Sequence, residues 1–178
     1  DTLCFSASYR VNRKERGPHG LAYAPTRRSA DIRSGTGRSS PRQRKAEILV
    51  GDTLYFSAYD GSSGNELWAH DTSNASTWRV ADIFSGAGSS NPGNNMEILV
   101  GDTLYFDAYD ANSGRELWAH DTSNASTWRV ADISGAGSSF PGQLMSILVG
   151  DTLYFDANDG SSGTELWAMD IEHSITYD

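Results

Sequence analysis

The side chains best suited to chemistry recur at fixed spacing. Asp60, Asp110 and Asp159 each precede a short turn, and Glu66, Glu116 and Glu165 follow it. Hard cations take clustered oxygen ligands, so the three aspartates are candidate Ca2+ ligands, with only weak association expected. The EF-hand order is not met by Asp156-Ala157-Asn158-Asp159-Gly160. The plainer role for these aspartates is to accept the N–H groups of their own turns.

Other candidates weaken on comparison between copies. His70 and His120 precede Asp71 and Asp121, but Met169 holds the third place, which fits a packing or surface position and not a catalytic one. Cys4 stands where Tyr55, Tyr105 and Tyr154 stand elsewhere, a packing substitution; a lone cysteine also excludes a disulfide framework. Nucleophile-elbow, HExxH and phosphate-loop motifs are absent, so no catalytic residue and no enzymatic activity are expected. Trp68, Trp118 and Trp167 share one position, Trp78 and Trp128 another. The first three are candidate sugar-stacking platforms, although repetition along strands favours core packing. Asn74 and Asn124 begin Asn-Ala-Ser sequons, usable for glycosylation only in a secretory compartment.

These residues are positioned by an internal repeat. ILVGDTLYF occurs at 48–56, 98–106 and 147–155, and ELWAHDTSNASTWRVADI at 66–83 and 116–133. A third copy starts as ELWAMD at 165–170 and then diverges. Successive DTLYF aspartates, Asp52, Asp102 and Asp151, lie 50 and 49 residues apart, and DTLCF at Asp1 opens a further copy. Each period predicts four strands, at 97–100, 103–109, 116–120 and 127–133 in the best copy, separated by polar turns. No 3.6-residue period is sustained, so helix is not expected. The units are 1–45 (degenerate), 46–95, 96–145 and 146–178 (incomplete).

Four short antiparallel strands per repeat, with a longer loop between repeats, match a β-propeller blade. The expected class is all-β, with tandem four-stranded blades in a partial or about four-bladed propeller. Leu104, Phe106, Leu117, Trp118, Trp128, Val130 and Ile133 are expected between blades, because one meander cannot cover both its faces.

Glu66-Leu67-Trp68 followed by Asp71-Thr72 resembles the ELWxxDGT, or hyalin-like, repeats of large secreted and cell-surface proteins. Gly51-Asp52-Thr53-Leu54-Tyr55-Phe56, Val80-Ala81-Asp82-Ile83 and the Gly/Ser/Asn/Pro loop that follows agree with that family. The resemblance covers 46–170 well, and 1–8 and 29–45 in part. It implies propeller-type blades with structural or adhesive roles and no catalysis. The family's Gly after the Asp is missing; Asn74 is the expected residue for the positive-φ position of that turn.

Charge is divided along the chain. Residues 1–45 carry 11 of the 14 Lys and Arg against 3 acids (+8), and residues 46–178 carry 3 basic against 20 acidic side chains (−17). The interval 9–29 fills a repeat slot with basic, off-pattern sequence. It reads as a damaged repeat or one translated out of frame between two compensating shifts, with a polyanion-binding arm as the competing reading. Blade one, carrying Arg13, Lys14, Arg16, Arg27 and Arg28, is therefore expected to pack poorly. The acidic array disfavours nucleic acid, and no stretch is apolar enough to insert into a membrane.

The expected function is a non-enzymatic extracellular or cell-surface scaffold, drawn from a longer array, with proteins or glycans as partners. Self-association through bare blade faces is expected, as is the absence of any cofactor beyond loose Ca2+. No signal peptide opens the chain. The alternatives are a lectin-like propeller module and a piece of a propeller-fold hydrolase.

Overall fold

The computed structural model describes residues 27–41, 47–135 and 137–171. Expectations placed on Cys4 and on 9–26 lie outside them. Among the described residues the protein is all-β, without helix. The strands are β1 (Glu47–Val50), β2 (Thr53–Tyr59), β3 (Asn65–Asp71), β4 (Thr77–Ala81), β5 (Glu97–Val100), β6 (Thr103–Asp110), β7 (Gly114–Asp121), β8 (Ser126–Ala131), β9 (Ser146–Val149), β10 (Thr152–Asn158) and β11 (Thr164–Asp170). They form three antiparallel meanders, β1-β2-β3-β4, β5-β6-β7-β8 and β9-β10-β11, one per repeat.

Local chemistry sets each hairpin. Val50 pairs with Thr53 across Gly51-Asp52, and Gly51 has φ +57, the first central position of a tight turn that glycine adopts without steric cost. The longer hairpin between β3 and β4 differs from expectation. Its positive-φ residues are Ala75 (φ 61) and, in the next repeat, Ala125 (φ 60), not Asn74 and Asn124. Each asparagine serves through its side chain: Asn74 Nδ2 donates to Asp71 Oδ2 at 2.6 Å and Asn74 Oδ1 accepts from Ser76 N at 2.8 Å. Ala in the left-handed region costs about 1–2 kcal/mol. Ala75→Gly and Ala125→Gly should each raise stability by about 0.5–1 kcal/mol after the unfolded-state entropy of glycine is subtracted. Thermal unfolding of the two variants should show a gain of about 2–4 °C per kcal/mol; an unchanged or lower midpoint would refute the strain.

The sheets bury one another. Tyr55, Leu67 and Ala69 of the first sheet share a core with Leu104, Phe106 and Ala108 of the second. Met96, Val100 and Leu117, in the second sheet and the loop before it, share another with Leu153, Phe155, Ala157 and Ile171. Leu67, Leu104, Phe106, Leu117 and Leu153 are all at most 1% exposed. Each of these side chains contributes about 1.5–3 kcal/mol of gross burial free energy, against the conformational entropy of ordering the chain. Face-to-face contact, not any single meander, therefore holds the repeats in place.

Two expectations about the fourth strand need correction. Trp128 does not fill a layer between sheets: it is 40% exposed, like Trp78 at 42%, because β4 and β8 are edge strands with a neighbour on one side only. The strand also ends at Ala131, two residues short of the expected 133. Ile133 leaves the ladder because its N–H is taken by the buried Glu116 carboxylate at 2.9 Å. A register shift between Leu67 and Trp68, repeated between Leu117 and Trp118, precedes these exits.

The Ser/Gly/Pro loops dock equivalently on the following sheet. Tyr59, Tyr109 and Asn158 each donate N–H to a loop carbonyl, of Ser39, Ser90 and Ser139 respectively, at 2.8 Å. Residues 27–41 thus supply for the first sheet what later loops supply for the others. Arg28 pairs with Asp31 as Arg79 does with Asp82 and Arg129 with Asp132, so repeat register is already present at Arg28.

Candidate functional site

Each of the three turn aspartates caps its own turn, and Asp110 Oδ2 also lies 3.8 Å from Arg129 Nη1. Asp60 Oδ1 accepts Ser62 N (2.7 Å), Ser63 N (2.8 Å) and Ser62 Oγ (3.0 Å). Asp110 Oδ1 accepts Asn112 N and Ser113 N, while its Oδ2 accepts Ser113 Oγ at 2.6 Å. Asp159 Oδ1 accepts Ser161 N and Ser162 N. Burial would raise the Asp60 carboxyl, but the Ser63 and Ser62 donors outweigh it and hold the group down at about 2. The Ser162 and Ser161 N–H groups hold Asp159 at about 2. The turns sit on separate sheets, and among the described residues no three His, Cys, Asp or Glu side chains gather as a metal site would require. The geometry is that of an aspartate-capped turn repeated three times.

The glutamate of each Glu-Leu-Trp sequence has a different task. Glu66 and Glu116 are fully buried. Glu66 Oε2 accepts Ile83 N (2.9 Å) and Ser90 Oγ (2.7 Å), and its Oε1 accepts Ser90 N (3.0 Å). Glu116 repeats this with Ile133 and Ser139. Each carboxylate therefore clamps both ends of the loop that leads to the next repeat. Glu165 is exposed among the described residues.

Burial raises the Glu66 and Glu116 carboxyls, against the pull of the Ser90, Ser139, Ile83 and Ile133 donors. A raised folded-state value means that the native state favours the protonated acid. This contribution is full below the unfolded value of about 4.3 and is lost as pH rises through the folded value. The turn aspartates, held low, act oppositely and only below about pH 4. Between pH 7 and the unfolded value of about 4.3, wild type should therefore gain stability relative to the Glu66→Gln/Glu116→Gln protein. Urea unfolding at both pH values would reveal it, and a parallel pH response in the two proteins would contradict it.

His70 and His120 are buried, with Nδ1 at 2.6 and 2.9 Å from the Thr77 and Thr127 hydroxyls on the adjacent strand. Burial lowers the His120 pKa, so its ring is neutral in the core, tilted against Tyr55. They are packing residues, and Met169 likewise packs against the second core.

The tryptophans divide by position. Trp118 and Trp167 pack against the two cores, and all three of Trp68, Trp118 and Trp167 are half-buried. Trp167 Nε1 donates to Ala157 O at 3.1 Å, whereas Trp68 and Trp118 Nε1 are buried without a partner. The open indoles are instead Trp78 and Trp128. Asn74 and Asn124 sit on exposed hairpin tips, with their amide nitrogens engaged by Asp71 and Asp121.

Some functional side chains were missed because they look unremarkable in one repeat. Asp107, on β6, is fully buried and paired with Arg115, itself buried. Its Oδ1 accepts Asn95 N (2.8 Å) and Met96 N (3.1 Å). Asp156 reproduces the backbone half of this arrangement, with Leu144 N and Met145 N both at 2.9 Å. The recurring aspartate was visible in the sequence; its burial was not, since the Arg115 that pairs with it stands on the next strand.

No protein-family model matches the sequence, and no curated protein matches it.

Proposed function

We propose that the protein is a non-enzymatic extracellular repeat protein, a scaffold or adhesion surface built from propeller-type blades. One observation carries this reading: the residues with chemical potential are spent on the repeat itself. Carboxylates clamp loops and cap turns, histidines pack, and the same hairpin tip is presented twice with the same hydrogen bonds at Asp71–Ser73–Asn74 and Asp121–Ser123–Asn124. Sequential four-strand meanders stacked through equivalent residues are what a propeller blade needs. Equivalent surfaces on successive blades act by avidity, so weak single contacts sum to useful affinity.

The third sheet supports self-association. Ile147, Val149 and Leu166 are 51, 56 and 64% exposed, where Val100 and Leu117 of the second sheet are 8 and 1% exposed beneath their neighbour. A repeat face, supplied by another copy or by further chain, fits there.

The exposed Trp78 and Trp128 are the indoles open to a sugar ring, the contact that a glycan ligand would need. A glycan array probed with the whole chain tests this. Trp78→Ala and Trp128→Ala singly should weaken binding to any positive glycan, and together should abolish it. Binding unaffected by the double change would remove the glycan reading, and glycan hydrolysis would overturn the non-enzymatic one.

A further inference from the structure

Asp156 is a buried carboxylate that lacks half of its partners. It is 6% exposed; Oδ1 accepts two N–H groups, and Oδ2 is buried with no hydrogen-bond partner. The preceding repeat shows what belongs beside it. There Arg115 Nη1 donates to Asp107 Oδ2 and to Asn91 O (3.1 Å), and Nη2 approaches Ser90 O (3.5 Å). The guanidinium thus occupies a place bounded by one carboxylate and two loop carbonyls.

In the last repeat the same frame is kept. Met145 O accepts Asp156 N as Met96 O accepts Asp107 N, and Ser139 O accepts Asn158 N as Ser90 O accepts Tyr109 N. Phe140 and Asn91 share the positive-φ position before proline (φ 50 and 44). Only the cation is gone, since Thr164 stands where Arg115 does. In the first of the three sheets the corresponding pair is Ser57 and Asn65, which carries no charge and needs no counter-ion.

We propose that Asp156 Oδ2, with the Ser139 and Phe140 carbonyls, binds a monovalent inorganic cation in the place of the missing guanidinium. The charge fixes the class: one positive charge neutralises Asp107, and one is needed at Asp156. A divalent ion would leave one positive charge in excess at a place where the guanidinium leaves none. An uncompensated carboxylate is too costly to bury, and a proton on Oδ2 satisfies one oxygen without bridging to two carbonyls. This site is distinct from the turn aspartates and does not depend on what the outer surface binds.

The test is thermal unfolding of the full chain at pH 7 in NaCl, KCl or choline chloride at equal ionic strength. The wild-type midpoint should be about 2–4 °C higher in NaCl or KCl than in choline chloride, a cation too large for the site. Asp156→Asn keeps an acceptor for Leu144 and Met145 and should lose the cation dependence. Thr164→Arg restores the guanidinium and should be equally stable in all three salts. A wild-type midpoint identical in the three salts, or the same cation dependence in Asp156→Asn, overturns the site.

Discussion

Gly64→Ala is expected to prevent folding or to cost more than about 4 kcal/mol, a loss reserved for defects the fold cannot absorb. A Cβ at Gly64 would lie 1.6 Å from Gly88 O, a backbone atom of the docked loop, and Gly64 has φ +72. Neither the strand nor the loop can yield without giving up the Glu66 clamp. Gly114→Ala meets Ser138 Oγ at 2.6 Å and Gly137 O at 2.8 Å, so a hydroxyl can swing away but the carbonyl cannot. Its cost should fall between, at about 2–4 kcal/mol. Gly163 is the matched control: its φ is +87 but nothing lies within 4 Å of an added Cβ. Gly163→Ala should therefore cost only the left-handed penalty, about 1–2 kcal/mol. Denaturant midpoints of the three single variants would check the ranking. Equal costs would mean that the loops do not dock on the strand starts as described.

Glu116→Ala should destabilise by about 3–5 kcal/mol, because it strands the buried Ser139 and Ile133 donors on a loop that then has nothing to hold it. Glu116→Gln retains one acceptor oxygen and should cost about half as much, while adding an N–H that faces existing donors. Glu165→Ala, at the same motif position but exposed, should fall within about 0.5 kcal/mol of wild type. Urea unfolding of this pair separates the two roles open to the glutamate. A catalytic or cation-binding residue would lose function without large destabilisation; a clamp loses stability. Comparable small effects at Glu116 and Glu165 would remove the clamp.

Much of the architecture was legible because turns punctuate it. Gly51-Asp52, the Gly/Ser turns and the polar Asp71–Ser76 tips bound the strands closely, and the repeat made each assignment two or three times over. Legibility failed where one side chain reaches across the repeat. Nothing near Ile133 says that its N–H belongs to Glu116, so the strand looked longer than it is. Trp128 looks like core by type, but its place on an edge strand leaves it open. The positive φ at Ala75 is hidden because alanine gives no signal for it, whereas asparagine beside it does.

The shift from a 50- to a 49-residue period also has a local counterpart in the structure. Phe84 stacks on Tyr109 at 5.6 Å, as Arg33 lies over Tyr59 at 4.9 Å. In the last repeat the residue matching Phe84 is deleted, and Asn158 replaces the tyrosine. The loop lost its stacking residue where the next sheet lost its ring.

The central claim is that repeats are held by face-to-face burial between successive sheets. A double-mutant cycle between Leu67 of the first sheet and Phe106 of the second, members of one core, tests it most directly. Leu67→Ala and Phe106→Ala, singly and together, should show a coupling of about 0.5–3 kcal/mol in urea unfolding, as contacting residues do. Additive losses, with no coupling beyond about 0.3 kcal/mol, would mean that the sheets do not share a core.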